Sequence, residues 1–349
     1  MKIGILTFHR AHNYGAVLQC YALQEVIKSL GYDTNVIDYR TSGMEKDIAV
    51  FSISKLLRLL KHPSQIYGYL RSMPHRLKQS RNYLSFQHKY LNLISAKKGI
   101  PQNIDVYLVG SDQVWSYNEE VYTGFFQHSS ESRICGYAIS ANLSLLDNYE
   151  SDLDRYMDTF DVVSCREQSI CDYLYQKTGK ASRLDIDPTL LAPQDIWQPM
   201  INSKWSSRNY ILLYQVRAKD PNILKQKAIN LAEKNGFELI DLSDNKLPVE
   251  DFISAFKFAK CVLTSSFHGT VFSLIFERPV YVFRLGDSGD SRYVELLTRI
   301  DAESFLFNLN ANIDKIPTND FAQIRQNLDK LRLDSINYLK SFKDNFIIK

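Results

Sequence analysis

The sequence predicts an α/β protein of two domains, and two observations lead to that prediction. Short apolar segments alternate with helical patterns along the chain, which is typical of βαβ units around parallel sheets. The 349 residues exceed one ordinary domain and suffice for two. A stretch near 192–208 has no clean periodicity and separates the two sets. We therefore predict an N-terminal domain over 1–192, a C-terminal domain over 193–318 and a terminal helix over 319–349.

The composition argues against several classes of protein. The net charge is only +3, so the total does not favour a nucleic-acid partner. Five cysteines without a C-x-x-C pair indicate a reducing compartment, and we expect a cytoplasmic protein. No apolar run approaches the ~18 residues of a membrane span, and the N-terminus lacks the features of a signal peptide. No cluster has metal-ligand spacing, so we expect no cofactor and leave metal dependence open.

The first predicted unit is a βαβ unit, whose strand, polar turn, helix and second strand lie at 2–8, 9–15, 16–30 and 34–39. Asn13 and Gly15 lie in the turn, where the backbone can approach a ligand closely. Gln19 lies one helical turn later and can point back at that ligand. The turn lacks G-x-G-x-x-G, so the sequence does not predict NAD binding.

Residues 40–98 differ in charge from the rest of the chain. They contain twelve Lys or Arg against two acids, Glu45 and Asp47, so the segment carries +10 and the remainder −7. An apolar cluster at 53–60 is interrupted by basic residues. One interpretation is a basic amphipathic helix on an anionic membrane surface. The other is a helical insertion at about 40–100, packed on the first domain with a solvated basic face.

A polar loop follows the next predicted strand, at 104–109. Its Gly110-Ser111-Asp112-Gln113 sequence places a carboxylate and an amide at a strand end, suited to recognising a hydroxyl or removing its proton. Ser and Asp also favour turns, so a purely structural turn is the alternative. Further strands are predicted at 133–138 and 161–167, and residues 185–190 are expected to close this half.

The second half repeats the α/β pattern and contains the stretch to which we assign the chemistry. Predicted elements are a strand ending before Arg217, a helix, a strand and a helix, at 210–216, 221–234, 238–242 and 248–260. Residues 261–283 then read as strand, polar turn, helix and strand. The turn ends in His268 at a helix start, where backbone N–H groups and the helix dipole favour an anion. His268 is thus predicted to donate a proton at a phosphate-binding site. The alternative is a serine that caps the helix beside a hydrogen-bonded histidine with no catalytic role.

Six motifs, in order along the chain, resemble those of the polysaccharide pyruvyltransferase family. They span about residues 2–295 and are Asn13-Tyr14-Gly15-Ala16-Val17-Leu18-Gln19, Gly110-Ser111-Asp112-Gln113-Val114-Trp115, Ser164-Cys165-Arg166-Glu167, Asp187-Pro188-Thr189-Leu190, Arg217 and Ser265-Ser266-Phe267-His268-Gly269. The resemblance implies a GT-B-like fold, in which two Rossmann-like domains face a cleft. It also implies transfer of a pyruvyl group from phosphoenolpyruvate to a sugar, usually as a ketal.

The resemblance assigns roles to residues of both domains. His268 matches the catalytic histidine of the family, and Arg217 matches an arginine near the donor. Many members carry an arginine two positions before the histidine, where this chain has Ser266. Either Arg284 or Arg292 replaces that arginine, or the donor differs.

The expected site has a donor side and an acceptor side. We expect donor contacts from Arg217, Ser265, Ser266, Phe267, Gly269, Thr270, Arg284 and Arg292. Asp112 is the expected base, and the expected acceptor contacts are Asn13, Tyr14, Gly15, Gln19, Ser111 and Gln113.

The expected acceptor is a sugar of a capsule or exopolysaccharide, or a lipid-linked oligosaccharide, at the inner membrane face contacted through 40–98. Two alternatives remain on the same architecture: a sugar-nucleotide-dependent glycosyltransferase and a non-catalytic carbohydrate-binding protein.

Overall fold

Two parallel β-sheets organise the computed structural model, which describes residues 1–40, 63–244 and 246–345. The strands of the N-terminal sheet are Lys2–Leu6 (β1), Asp33–Asp38 (β2), Leu93–Ser95 (β3), Val106–Val109 (β4) and Arg133–Gly136 (β5). Their order across the sheet is β3-β2-β1-β4-β5, the order of a Rossmann-type sheet. The chain reverses its winding between β1 and β4, so the loops that follow these two strands flank the crevice where ligands of such sheets bind.

A short ladder extends this sheet beyond β5. It consists of Ser164–Cys165 (β6) paired with Arg183–Leu184 (β7). The predicted strand at 161–167 is longer than the observed one, because Val162 and Cys165 contact the sheet only through isolated bridges.

The C-terminal sheet has a different strand order. Its strands are Tyr210–Tyr214 (β8), Glu238–Asp241 (β9), Cys261–Thr264 (β10), Val280–Arg284 (β11) and Leu306–Asn308 (β12). The order is β12-β11-β10-β8-β9, with every neighbouring pair parallel. Here the winding reverses between β8 and β10, so the segments after these strands flank the second crevice. The predicted α/β class with two Rossmann-like halves is confirmed.

Helices cover both sheets. Those of the first half are Tyr14–Ser29 (α1), Pro63–Tyr90 (α2), Glu120–Thr123 (α3), Leu143–Leu146 (α4), Leu153–Thr159 (α5), Gln168–Thr178 (α6) and Pro188–Leu191 (α7). Those that follow are Pro221–Asn235 (α8), Val249–Phe258 (α9), Phe267–Ile275 (α10), Ser291–Arg299 (α11), Ala322–Lys340 (α12) and Phe342–Asn345 (α13). Helix α12 returns to the first half, where the Tyr338 hydroxyl donates to the carbonyl of Gly136 at 2.9 Å.

Helix α2 forms most of the described part of the basic segment, which also contains β3. Its Tyr83 and Phe86 are fully buried, and Phe86 packs near Tyr21 of α1. Tyr67 and Leu70 at the other end are exposed. The apolar cluster predicted at 53–60 lies outside the described residues. Among the helices described, none is both long and apolar enough to cross a membrane.

One apolar core joins the two halves. Tyr14 of α1 stacks on Phe252 of α9 with ring centroids 4.2 Å apart, and its hydroxyl donates to the carbonyl of Leu247 at 2.9 Å. Tyr21 reaches the other side of the connection, donating to the carbonyl of Ile196 at 3.1 Å. An aromatic pair of this kind contributes ~0.5–1.5 kcal/mol beyond its buried area. These contacts fix the start of α1 against the second half, next to the turn between β10 and α10.

Candidate active site

The turn between β10 and α10 is held rigidly by its own hydroxyl groups. Thr264 Oγ1 donates to the carbonyl of Tyr214 at 2.6 Å and accepts from the backbone N–H of Ser266 at 3.1 Å. Ser266 is the N-cap of α10, accepting from the N–H of Gly269 at 3.4 Å. A Cβ on Gly269 would lie 2.1 Å from Thr264 Oγ1, so no other residue fits this approach. The turn therefore fixes the backbone of His268 within narrow limits.

His268 lies buried where the two halves meet. A Cβ on Gly15 of α1 would lie 2.0 Å from His268 Nδ1, so the ring packs directly on the glycine backbone. On its other side, Nε2 makes no hydrogen bond within the described part of the chain and lies 3.8 Å from Asp187 Oδ2. Burial lowers the pKa of His268 to about 4, partly opposed by the Asp187 carboxylate. The ring is therefore neutral at neutral pH in this structure.

Arg166 lies near His268 and belongs to the first half, where it directly follows β6. Its Nη1 donates to Asp187 Oδ2 at 2.7 Å, its Nε donates to Glu167 Oε1 at 3.0 Å, and its Cζ lies 4.5 Å from the Phe267 ring centre. Although burial disfavours its charge, Glu167 and Asp187 raise the pKa of Arg166. Its Nη2 is buried and has no hydrogen-bond partner among the residues that the structure describes. A buried N–H without an acceptor lowers the stability of the fold by ~1–3 kcal/mol. Nη2 is therefore a candidate donor to a ligand or a water molecule.

Arg292 supplies a second guanidinium group from α11. Its Nε is also buried without a partner, and burial and the charge of Arg166 lower the pKa of Arg292. The charges of the two guanidinium groups repel each other, and such a pair is suited to binding an anion. Arg284, the other replacement considered from the sequence, is exposed at the end of β11.

Arg217 is engaged by carboxylates of its own half. It follows β8 in a left-handed conformation with φ +61°. Its Nη1 forms a short ion pair with Asp287, and its Nη2 lies 3.7 Å from Asp290 Oδ1. Its charge still contributes to lowering the pKa of Arg292.

Two carboxyl groups border the guanidinium pair. Glu167 Oε1 accepts from Ser140 Oγ at 3.0 Å, whereas its Oε2 is buried without a partner, and burial raises its pKa. Asp112 lies after β4 with φ +75° and accepts from the N–H of Gln113 at 2.8 Å. The Asp112 carboxylate is close enough to contribute to raising the pKa values of His268 and Arg166.

The predicted residues thus divide into two groups. The structure brings Gly15, Asp112, His268 and Arg292 together. The hydroxyl of Ser265 instead bonds to Val216, and that of Thr270 donates to the carbonyl of Ser266 at 3.0 Å.

The predicted acceptor residues of the first half also bond mainly within the protein. Asn13 caps α1, accepting from the N–H of Ala16 at 3.2 Å. Gln19 is fully buried and donates to Thr7 Oγ1 at 2.8 Å, and Ser111 donates to the carbonyl of Ala138 at 2.9 Å.

Sequence reasoning gave no role to Arg166, Glu167 or Asp187. The available signal was their place in two of the six motifs, each a polar group next to a short strand. Over residues 1–40, 63–244 and 246–345, no three His, Cys, Asp or Glu side chains form a group that could hold a metal ion.

Comparisons with known proteins show what this chain is similar to. A family model described as polysaccharide pyruvyl transferase matches residues 13–287. No curated protein matches the chain. Among solved structures, the UDP-GlcNAc 2-epimerase from Neisseria meningitidis bound to UDP-GlcNAc is 10% identical with TM-score 0.47, and covers 100% of this chain and 95% of its own. The glycosyltransferase SnogD from Streptomyces nogalater is 13% identical with TM-score 0.44, and covers 99% of each chain.

Proposed function

Because the chain belongs to the polysaccharide pyruvyl transferase family, we propose that it moves a pyruvyl group from phosphoenolpyruvate to a sugar of a surface polysaccharide or its lipid-linked precursor. One observation supports phosphoenolpyruvate as the donor. Over the described residues, two guanidinium groups each keep a buried N–H without a partner near His268: the buried Arg166 from the first half and the half-buried Arg292 from the second. A donor with a carboxylate and a phosphate matches two such cations, because both are strong acceptors of charge-assisted hydrogen bonds.

The reaction balances without any further reagent. A proton from the His268 ring adds to the vinyl carbon, which makes the adjacent carbon electrophilic. The acceptor hydroxyl forms a C–O bond to that carbon while its proton passes to Asp112. The C–O bond to phosphate breaks, the second hydroxyl closes the ketal, and phosphate leaves with the remaining proton. Asp112 then returns its proton to the His268 ring. Over the full cycle one hydroxyl proton replaces the proton that the ring gave to the new methyl group, and the other leaves on phosphate.

The neutral state of His268 is consistent with this scheme. Burial is the main cause of its lowered pKa, Arg166 and Arg292 lower it further, and a bound dianion offsets those two charges. The ring then becomes a usable acid when the donor is present. An acid of this kind typically accelerates its step ~100- to 10,000-fold.

The direct test is turnover of phosphoenolpyruvate by the full chain. Wild-type protein with a polysaccharide repeat-unit acceptor should release phosphate and add a pyruvyl ketal, detectable by mass spectrometry of the acceptor. His268→Ala should bind the donor but lose turnover ~100-fold or more. The matched control is Arg284→Ala, which removes an exposed charge next to the site and should retain turnover.

Two results would contradict the proposal. Calorimetric binding of a sugar nucleotide with no binding of phosphoenolpyruvate would assign the cleft to a glycosyltransferase. Normal turnover in His268→Ala would remove the ring from the chemistry.

The proposal includes contact with the cytoplasmic face of a membrane through the basic segment. One face of α2 combines the exposed apolar side chains Tyr67, Leu70 and Leu77 with the exposed cations of Arg71 and Lys78. Cations beside apolar groups favour an anionic lipid surface by ~1 kcal/mol per charge near the surface.

Vesicle flotation tests this contact. The protein should float with vesicles that contain phosphatidylglycerol and stay behind with neutral phosphatidylcholine vesicles. Arg71→Glu with Lys78→Glu should abolish flotation, whereas Lys330→Glu on α12, also exposed, should not. Equal flotation of both variants would show that this face of α2 does not bind the membrane and that the helix only packs on the first half.

A further inference from the structure

Asp187 lies between the Arg166 guanidinium and the His268 ring and is hydrogen-bonded to only the first of them. Its Oδ1 accepts from the N–H and the Oγ1 of Thr189 at 2.9 and 2.5 Å. Its Oδ2 accepts from Arg166 Nη1 at 2.7 Å and lies 3.8 Å from His268 Nε2, which has no hydrogen bond. The Asp187 side chain is fully buried, so no solvent competes for these oxygens.

We propose that Asp187 positions the His268 ring, and that an anion held by Arg166 releases the Asp187 carboxylate to accept a hydrogen bond from that ring. This inference rests on the proposed function, because it assigns the anion site and the proton of the same reaction. It adds a positioning residue that the sequence did not assign.

The geometry permits the exchange with little movement. A normal N–H···O hydrogen bond is ~2.9 Å long, so Nε2 and Oδ2 need to approach by ~1 Å from their observed 3.8 Å. Arg166 already bonds to Glu167 and Asp187, and its third nitrogen, Nη2, is unpaired. An anion on Nη2 shares the positive charge of Arg166 and weakens its hold on Asp187.

The charges around His268 give the direction of proton movement. Burial is the main cause that lowers the pKa of His268, and Arg166 and Arg292 lower it further. Asp187 and Asp112 raise it, and the start of α1 contributes only neutral backbone at Gly15. A bound dianion offsets both arginines while both carboxylates remain. The ring therefore takes a proton from the solvent when the anion binds, and no oxidation or reduction is involved.

Calorimetry with sulfate measures this proton directly, because sulfate is a dianion that does not titrate near neutral pH. Binding enthalpies are compared at pH 6.5 in two buffers that differ in heat of ionisation. Wild-type protein should take up a substantial fraction of one proton, and Asp187→Asn should take up none. Asparagine keeps the shape and the oxygen that caps α7, so the variant removes mainly the charge. The control, Thr189→Val, loses one hydrogen bond to Oδ1 but keeps the carboxylate and should retain proton uptake.

A measurement on wild-type protein alone guards against an unfolded variant. The ring nitrogen signals of His268 should change from the neutral to the charged pattern as sulfate is added. Unchanged nitrogen signals with sulfate bound, or equal proton uptake in wild type and Asp187→Asn, would overturn the inference.

Turnover separates the inference from the proposed function. With phosphoenolpyruvate, Asp187→Asn should lose kcat ~100-fold or more, and its rate should begin to fall at a lower pH, because the lost carboxylate lowers the pKa of His268. An unshifted pH profile with active wild-type protein would sink only the inference. Proton uptake with sulfate, without any turnover of phosphoenolpyruvate, would sink only the proposed function.

Discussion

The turn before α1 and the turn before α10 are alike in backbone and unlike in chemistry. Each follows a strand at the point where its sheet reverses its winding, and each starts a helix with a polar cap, Asn13 or Ser266. The first turn presents the bare backbone of Gly15, and the second presents the ring of His268, which packs on it. The comparison shows that the second half contributes the His268 ring, while the first half leaves room for that ring by having no side chain at Gly15.

The largest expected difference between the two turns is in pH-dependent stability. The folded pKa of His268, about 4, lies below its usual value near 6.5, so folding favours the neutral ring. The resulting stability is complete above pH 6.5 and is lost as the pH falls toward 4. The difference corresponds to about 3 kcal/mol.

Urea unfolding measured from pH 7.5 to 4 tests this. His268→Gln should remove about that part of the pH dependence, whereas Gly15→Ala should leave it in place. An identical pH dependence in His268→Gln and wild type would show that the ring is not buried as described.

The next effect concerns the close approach itself. Gly15→Ala places a Cβ where the His268 ring lies, so the ring or α1 must shift. A displacement of ~1 Å in a catalytic group can cost ~100-fold in rate. Steady-state turnover should therefore fall by about that factor in Gly15→Ala, with donor binding retained.

Gly4→Ala is a control for the general cost of a crowded glycine. Its Cβ would lie 2.7 Å from Ile37, away from the ring. It should lower stability with little change in turnover of the folded protein. Equal loss of turnover in both variants would contradict a specific role for the approach of Gly15 to His268.

A smaller effect distinguishes the two arginines that could replace the one absent at Ser266. Arg292→Met removes a half-buried cation of the proposed anion site and should raise KM for phosphoenolpyruvate by ~10- to 100-fold, since a charged hydrogen bond contributes ~1.5–3 kcal/mol. Arg284→Met removes an exposed charge and should change KM by less than ~3-fold. A larger increase in KM for Arg284→Met than for Arg292→Met would indicate that Arg284 is the arginine that binds the donor.

The smallest expected effect is the one the two turns share. Asn13→Ala and Ser266→Ala each remove an N-cap, which typically costs ~1 kcal/mol of stability. Chemical unfolding should give similar losses for both. A much larger loss for Ser266→Ala would indicate that its side chain does more than cap α10.

The sequence predicted one part of the site because that part is local. His268 and Asp112 follow apolar strands in polar turns, and such turns lie at the carboxyl edge of a parallel sheet whatever else the chain does. Their assignment needed only the strand pattern and the family motifs, and the family is confirmed over 13–287. Their catalytic roles remain predictions.

The sequence did not predict which polar side chains would form hydrogen bonds within the protein rather than face a ligand. Gln19 and Ser111 lie at equally suggestive positions, yet the structure buries both with partners inside the protein. Burial and hydrogen-bond partners depend on the packing of distant segments, which a local pattern does not contain.

By itself, therefore, the sequence determined the α/β class, the two Rossmann-like halves, the family and the strand ends that carry the polar turns, because each depends on local periodicity or on contiguous motifs. Tertiary structure alone decided the meeting of Gly15 with His268 and of Arg166 with Asp187, across 253 and 21 positions of the chain. The physical reason is that burial strips water from these groups. Their charge states then depend on whichever neighbours the folded halves bring within a few ångströms.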